Sequence, residues 1–269
     1  MKKAVIWILA FIITLATAYY QRKTGPTYPV SGKVILAGSE IKFELARSHG
    51  GEEDHRVSIK IDNPEIGGYL LFKRYKTADE WTNIPLKREE DFLVAALPHQ
   101  PPAGKLMYLV FLTYGNEKVS LTGEKPVIIR FKGKVPLSVL VLHVIVMFLA
   151  MLISSRAGIE AFNPEGKHRI YAIWVLVLLF VGGFILGPLV QKYAFGAWWT
   201  GFPFGFDLTD NKTLIAFIGW MIALIAAGKK KSRRWWYLGA ALLLLIVYLI
   251  PHSLLGSELD YSKLQASPR

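Results

Sequence analysis

The stretch YAFGAWWTGFPFGFDLTDNKT, residues Tyr193 to Thr213, lies between two long apolar runs. It gathers seven aromatic side chains and three glycines, and it closes on two aspartates, an asparagine and a lysine. Aromatic rings concentrate at a membrane–water interface because one end of the ring system is apolar and the other tolerates water. The stretch is therefore typical of an interfacial belt between membrane helices, or of a lid or platform for a flat ligand.

Apolar segments flank this stretch on both sides, and another lies near the amino end. A membrane helix needs about 20 residues, within a range of about 17–25. The segments are Ala4–Ala18, Val135–Ile153, Ile170–Val190, Leu214–Ala227 and Trp235–Ile250. They predict a membrane α-helical bundle of about five transmembrane helices, of which four form a domain at 134–251. Gly183-x3-Gly187 followed by Pro188 predicts close packing and a kink.

Residues 1–23 predict a signal anchor that forms the first transmembrane helix. Ala16-Thr17-Ala18 also has the small-x-small form of a cleavage site, so a cleaved signal peptide is the alternative. Both interpretations export the segment that follows. We favour the retained anchor.

The net charge of +12 indicates membrane topology rather than binding to nucleic acid. Ten basic residues stand at the ends of apolar segments, where cytoplasmic loops of membrane proteins carry an excess of lysine and arginine. They are Lys2, Lys3, Arg156, Lys167, Arg169, Lys229, Lys230, Lys231, Arg233 and Arg234. The pattern predicts a multi-pass protein of a bacterial-type inner membrane, in contact with membrane lipids. Its amino terminus is predicted to be cytoplasmic, and the segment 27–133 and a tail at 252–269 external.

Residues 27–133 read as an inserted extracytoplasmic all-β domain. Eight short runs rich in β-forming residues recur at regular spacing and are separated by turn signals such as Asn63-Pro64 and Gly67-Gly68. In VSIKI, Val57, Ile59 and Ile61 share one face of a strand. This number of strands in about 100 residues predicts a β-sandwich.

The stretch LPHQPPAGKLMYLVFL, residues 97–112, resembles the E–F corner of immunoglobulin-like and fibronectin type III domains. Tyr108 is placed to be the corner tyrosine of that motif. The resemblance implies an immunoglobulin-like fold for 27–133 and no particular function, since such sandwiches serve many.

Part of the aromatic stretch resembles the tryptophan-rich heme-handling motif of cytochrome c maturation membrane proteins. The residues with counterparts in that motif are Gly196, Trp198, Trp199 and Asp207. The chain departs from the motif at two points. Phe195 replaces the first tryptophan, and seven residues separate Trp199 from Asp207 where the family has one or two. In that family the motif forms an external aromatic platform and histidines supply axial ligands. The resemblance therefore implies heme as a possible cofactor, with His143 and His252 as candidate ligands.

His143 is an ionisable residue deep inside an apolar run, where such residues usually face the bundle interior and have a partner. Met147 and Met151 follow at four-residue spacing on the same helix face. Thioethers suit soft metals, so the three residues are a candidate site for heme iron or copper(I). The alternative is a histidine bonded to a neighbouring helix, beside two packing methionines. The chain has no cysteine, which excludes disulfides and thiolate sites.

Two polar stretches complete the candidates. The loop from His49 to His55 gathers two histidines and three carboxylates, and it reads as a divalent-cation site or as a solvated loop. Residues 207–212 read as helix capping, with Thr209 or Asp210 as the acceptor. Phe202, Phe204, Asp210, Asn211 and Lys212 are candidate interaction residues.

Two functional hypotheses follow. The first is a non-catalytic interaction, assembly or accessory subunit that presents the sandwich and the aromatic loop to a membrane or periplasmic protein partner. The second is heme or metal handling in the assembly of a cytochrome or redox complex.

Overall fold

The computed structural model describes residues 3–228, 230–251, 256 and 258–262. They divide into two compact units. A helical unit is formed by residues up to Pro26 and by Val135–Ser257, and a β unit by Thr27–Lys134 and the residues from Glu258 onward.

The β unit contains eleven strands in three sheets among the residues the structure describes. Strands β3, β11, β9, β5 and β6 lie side by side in the largest sheet, with β10 also paired to β9. The others form β4-β8-β7 and the β1-β2 hairpin. The strands are β1 (Val30–Leu36), β2 (Ser39–Leu45), β3 (Ser48–Gly50), β4 (His55–Lys60), β5 (Gly67–Arg74), β6 (Thr82–Pro85), β7 (Lys87–Glu89), β8 (Phe92–Leu97), β9 (Lys105–Tyr114), β10 (Glu117–Ser120) and β11 (Val127–Lys132). Only the β3–β11 pair is parallel in this set.

All three sheets contribute side chains to one hydrophobic core. In β4, Val57 and Ile59 are buried while Arg56, Ser58 and Lys60 are exposed, so the alternation seen in the sequence is the alternation of the strand. Buried residues of the other strands complete the core, among them Leu45, Leu70, Leu97, Leu106, Val110, Ile129 and Phe131.

Tyr108 belongs to this core, and its partner differs from the corner motif. The side chain is fully buried, and its hydroxyl donates to the carbonyl oxygen of Ala46, 2.9 Å away, just after β2. Every second residue of β9 faces the core, so Tyr108 reaches across the core instead of back to the corner at 97–105. Burial raises the pKa of its hydroxyl.

Tyr261, and not Tyr108, contacts the corner at 97–105. Residues Glu258–Ser262 return to the β unit, where Leu259 N–H donates to Ala103 O at 3.1 Å. The Tyr261 hydroxyl lies within 3.0 Å of the Gln100 side-chain oxygen. Glu258 pairs with Lys76 at 2.8 Å and with Lys105 at 3.4 Å. The predicted tail at 252–269 therefore includes a segment that is part of the β unit.

Among its described residues, the helical unit has four helical runs long and apolar enough to cross a membrane, at Lys3–Thr24, Leu137–Glu160, His168–Phe195 and Leu208–Ala227. The helices are α1 (Lys3–Thr24), α2 (Leu137–Glu160), α3 (His168–Leu179), a π-helical segment (Phe180–Leu186), α4 (Gly187–Phe195), α5 (Leu208–Ala227) and α6 (Trp235–Leu249), with a 3₁₀ turn at Lys231–Arg233. Helix α3, the π segment and α4 form one continuous run. Helix α6 is apolar but has only 15 residues.

Helix α2 is longer than the sequence predicts, and the predicted kink region contains a different type of helix. Helix α2 was expected to end near Ile153 and instead reaches Glu160, because an ion pair between Arg156 and Glu160 one turn later lets both charged residues stay helical. The predicted kink region is the π segment, which ends two residues before Pro188. Proline cannot donate an amide, which weakens the α-helical ladder at this point.

Small residues let the helices approach closely. Helices α2, α3, α5 and α6 share one hydrophobic cluster, which contains Ala150, Ala157, Ala172, Ala216, Ala223, Ala227, Ala240 and Ala241, together with Trp220, Tyr237 and Leu244. A side chain at Gly158 would lie 2.7 Å from the Ala241 methyl, so α2 and α6 meet at near-backbone distance.

Side chains from neighbouring helices satisfy helix-terminal carbonyls. At the end of α6, Lys212 Nζ donates to Ile250 O at 2.5 Å and Gln21 Nε2 to Tyr248 O at 2.6 Å. At the ends of α2 and α5 the donors are arginines: Arg234 to Ala161 O, Arg169 to Gly228 O and Arg233 to Ala226 O. Cations at helix carboxyl ends also complement the helix dipole.

Candidate functional site

The aromatic loop is built between two helix ends. Helix α4 stops at Gly196, whose φ of 82° is the left-handed conformation that closes many helices. Helix α5 starts after Asp207, whose Oδ1 accepts from Thr209 N–H at 2.8 Å. The predicted capping residues, Thr209 or Asp210, are therefore wrong. Asp207 comes first in the chain and caps the helix, which leaves Asp210 free to turn toward the loop.

Asp210 and Asn211 hold the loop by its backbone amides. Asp210 Oδ2 accepts from Thr200 N–H at 2.7 Å and from Gly201 N–H at 3.0 Å. Asn211 Oδ1 accepts from Phe202 N–H at 2.8 Å. Three consecutive amides are thus bonded to the first turn of α5. Hydrogen bonds to a carboxylate are stronger than those between neutral groups, so this anchoring stabilises one loop conformation.

Two of the loop glycines lie so close to other atoms of the loop and of α5 that a side chain at either position would clash. A Cβ on Gly201 would lie 2.6 Å from Asp210 Cβ, and one on Gly205 would lie 2.4 Å from Thr200 O. Within the loop, the amides of Phe204 and Gly205 both donate to Gly201 O at 2.9 Å. The backbone between 200 and 207 is therefore folded tightly on itself.

The tryptophans and phenylalanines of the loop have different environments. Trp199 stacks on Phe184 of the π segment, with centroids 5.6 Å apart, and its indole N–H donates to Phe202 O at 3.0 Å. Trp198 is 54% exposed. The Phe202, Phe204 and Phe206 side chains are 65%, 83% and 90% exposed. The loop therefore buries one tryptophan face and displays three phenylalanines.

The predicted interaction residues consequently separate into three groups. Phe202 and Phe204 are displayed, whereas Asp210 and Asn211 anchor the loop. Lys212 is 5% exposed and bonds the end of α6. Its contribution is to hold helices together, not to form an accessible surface.

His143 meets the same π segment as Trp199 does. Its Nδ1 lies 3.0 Å from Gly182 O, and because a carbonyl only accepts, Nδ1 is the donor. Met147 also reaches this glycine, since a Cβ there would lie 2.7 Å from its sulfur. Met151 is buried in the helical core. This arrangement corresponds to the alternative given for His143 above, in which the histidine is hydrogen-bonded to a neighbouring helix and two methionines pack beside it. His252, the other predicted ligand, lies outside the described residues.

Sequence reasoning missed a buried polar cluster near the carboxyl end of α2. Arg156, counted above as a topology charge at a segment end, is only 2% exposed and is ion-paired with Glu160. Its guanidinium lies 5.0 Å from the Tyr171 ring centroid and 5.4 Å from that of Trp7. The i,i+4 spacing of arginine and glutamate was the available signal.

Aromatic rings continue this cluster across the helical unit. His168 donates through Nε2 to Glu160 O at 2.8 Å, and its ring is parallel to that of Tyr237, with centroids 6.0 Å apart. Tyr237 in turn stacks on Trp220. The cluster thereby connects α2, α3, α5 and α6 through polar side chains.

The loop candidate at 49–55 brings its two histidines together. His55 Nδ1 lies 3.2 Å from His49 Nδ1, and the ring centroids are 5.0 Å apart. Burial, with a smaller contribution from His49, lowers the pKa of His55 to about 4. At neutral pH the His55 ring is therefore uncharged.

Comparison of the chain with known protein families, with curated proteins and with solved structures found no match.

Proposed function

We propose that the chain is a membrane-anchored interaction or assembly subunit that presents an immunoglobulin-like β-sandwich and the aromatic loop to an exported protein partner. The observation that carries this proposal is the loop itself. Three phenylalanines are displayed on a backbone that is bonded at three consecutive amides to α5.

A rigid display of aromatic side chains suits a protein partner. Aromatic residues are enriched at the centres of protein interfaces, where they dominate the binding energy. Ordering a loop on binding costs free energy, and a loop held in one conformation has already met that cost. Insertion into lipid needs exposed apolar side chains but no fixed arrangement, so the anchoring by Asp210 and Asn211 favours a protein surface.

The tail of the chain supports a topology with five crossings. Glu258 and Tyr261 contact the β unit, so the chain between Lys134 and Glu258 crosses the membrane an even number of times. The three long helical runs of this segment make an odd number, and α6 supplies the fourth crossing. Its 15 residues, from Trp235 to Leu249, span about 22 Å at about 1.5 Å each, and Ile250 extends the apolar segment toward the about 30 Å of the hydrocarbon core.

In the proposed topology, the loop and the β unit are on the same side of a bacterial-type inner membrane. Two crossings separate Lys134 from the loop, so both are external if the amino terminus is cytoplasmic. The arginines that bond the ends of α2 and α5 then lie on the cytoplasmic side, as the excess of positive charge predicts.

The β unit supports the second part of the proposal. Three sheets over one core, with mostly antiparallel neighbours, are compatible with an immunoglobulin-like sandwich. Domains of this architecture often bind other proteins, although the fold alone does not specify the partner.

Site-specific photo-crosslinking in the native membrane tests the proposal. A photoreactive phenylalanine derivative is placed at Phe204 or at Phe206. The control site is Ile225 near the carboxyl end of α5, which is 76% exposed and also apolar. We expect the loop positions to give a discrete crosslinked protein band that the control lacks.

Loss of the anchor provides the matched variant. Asp210→Asn keeps the side-chain shape but removes the charge that receives the Thr200 and Gly201 amides, so the crosslink should weaken while the phenylalanines remain. Adducts to lipid alone from both loop positions would contradict a protein partner.

A further inference from the structure

His49 and His55 lie on the edge strands of two different sheets. His49 is the middle residue of β3, opposite Phe131 of β11, and His55 opens β4, opposite Leu97 of β8. The exposed residues Glu52, Glu53 and Asp54 connect them. The fold of the β unit, and not only the loop, therefore fixes the distance between the two histidines.

The hydrogen bonds of His49 define where its free lone pair points. Its Nε2 lies 2.9 Å from Glu53 O, and since a carbonyl only accepts, Nε2 carries the hydrogen. The neutral ring then has a bare Nδ1, and this atom faces His55 Nδ1 at 3.2 Å. Without a further ligand, one hydrogen on His55 Nδ1 bridges the two nitrogens.

The distance of 3.2 Å between the two Nδ1 atoms is close to the distance between two ligand atoms on one metal ion. Zn²⁺–N bonds of about 2.0–2.1 Å in a tetrahedral site place neighbouring nitrogens about 3.3–3.4 Å apart. We propose that His49 and His55 bind one divalent transition-metal ion through their Nδ1 atoms, with the ion taking the place of the bridging hydrogen.

The surroundings of His49 are those of a metal ligand. Ligating histidines commonly donate their other ring N–H to a backbone carbonyl, which fixes the ring orientation, and Glu53 O has this position here. The ring also packs edge-on against Phe131, with centroids 5.6 Å apart. Both contacts orient Nδ1 before any ion binds.

Ligand type selects among the metals. Imidazole nitrogens suit Zn²⁺ and Cu²⁺, whereas Ca²⁺ and Mg²⁺ require oxygen ligands. No set of three histidine or carboxylate side chains within metal-binding reach occurs in the described part of the chain. The site is therefore a two-histidine chelate whose other positions take water, and Cu²⁺ should bind more tightly than Zn²⁺. The carboxylates of 52–54 add negative charge nearby.

Metal titration of the full chain in detergent tests this proposal. The protein carries an amino-terminal tag without histidines and is first treated with EDTA and desalted. ZnCl₂ is then titrated in competition with a chromogenic zinc indicator, and CuCl₂ in a parallel experiment. We expect one equivalent of Zn²⁺ to bind per chain, and His49→Ala or His55→Ala to weaken binding at least tenfold.

One further variant is a matched control. His99→Ala removes another histidine ring that packs on Phe131, at 5.9 Å. It should bind Zn²⁺ as the parent does. His55→Cys should retain binding, since a thiolate is also a zinc ligand.

Thermal unfolding with EDTA shows whether each alanine variant is folded. Added Zn²⁺ should raise the unfolding midpoint of the parent but not that of either alanine variant. Binding that persists in both folded alanine variants would place the metal elsewhere. A parent protein that binds no Zn²⁺ or Cu²⁺ would show that the pair is a hydrogen bond and nothing more.

Discussion

The Tyr261 hydroxyl oxygen lies 2.9 Å from the amide nitrogen of Lys105 and 3.0 Å from the carbonyl oxygen of the same residue. One side chain thus bonds both backbone groups at the start of β9. Arg74 lies over the ring of Tyr261, 5.2 Å from its centroid. A residue that follows the whole helical unit in the chain therefore completes the hydrogen bonding of the β unit.

Replacing Tyr261 by phenylalanine should destabilise the β unit. The change keeps the ring but leaves the Lys105 amide without this acceptor, which costs about 1–3 kcal/mol for a buried group. Limited proteolysis of the full chain in detergent measures the effect as faster cleavage within 27–134. Ser262→Ala, at an exposed neighbour, is the control and should behave as the parent does. Equal cleavage rates for parent and Tyr261→Phe would show that the hydroxyl contributes nothing.

Replacing Glu160 by glutamine should destabilise the helical unit. Removal of one partner of a buried ion pair leaves Arg156 uncompensated, at a cost of about 3–5 kcal/mol. Thermal unfolding in detergent measures the loss. The double variant Arg156→Met with Glu160→Leu removes both charges and should recover most of the stability, since apolar replacements of a whole pair are often neutral. A double variant no more stable than Glu160→Gln would contradict this account.

Acid should destabilise the part of the β unit around Arg74, which contacts Tyr261. Hydrogen bonds from Arg74 at 2.6 and 2.9 Å lower the pKa of Asp79 from 3.8 to about 2. A depressed carboxyl pKa means that the unfolded state binds more protons, so the contribution is present above pH 3.8 and lost as the pH falls toward 2. Urea unfolding of the β unit at pH 5 and at pH 2.5 measures this loss. Asp79→Asn should show a smaller difference between the two pH values, and an unchanged difference would remove Asp79 as the cause.

Reporter fusions test the five-crossing topology. A reporter inserted after Lys231 should be cytoplasmic, because the surrounding basic residues are retained on that side. A reporter fused after Arg269 should be external, together with the β unit. If both fusions report the same side, α6 does not cross and the topology is wrong.

Absorbance tests the prediction of heme handling. Protein purified from heme-replete cells should show a Soret band that His143→Ala or His252→Ala shifts or abolishes. If a metal binds at His143 instead, Met147→Leu should weaken it while preserving the fold, since the volume changes little. A colourless, metal-free protein whose histidine variants assemble normally would leave the tryptophans with a role in packing and docking.

Local patterns in the sequence predicted the elements but not their partners. The alternation of Val57 and Ile59 and the apolar run of α5 depend on neighbouring residues only, so they could be identified directly. Arg156 was misassigned because its counter-charge requires the helix to continue past the apolar run. The bond from Tyr261 to Lys105 joins residues 156 positions apart, and no local pattern encodes it.

The choice among polar residues in the loop was also beyond local reasoning. Asp207, Thr209 and Asp210 all suit a helix start. The way the loop closes decides that Asp207 caps the helix and that Asp210 receives the Thr200 and Gly201 amides.

The return of Tyr261 to Lys105 also sets an order of events during biosynthesis. The ribosome makes Lys105 well before Tyr261, and helices α2 to α6 are translated between them. At about 5–20 residues per second the 156 positions between the two residues take roughly 8–31 s. The nascent β unit therefore folds first in a provisional form, without the Tyr261 hydroxyl. In the proposed five-crossing topology, membrane insertion of α6 precedes the step that completes it, and a failure of that insertion would leave an unfinished β unit that proteases can recognise.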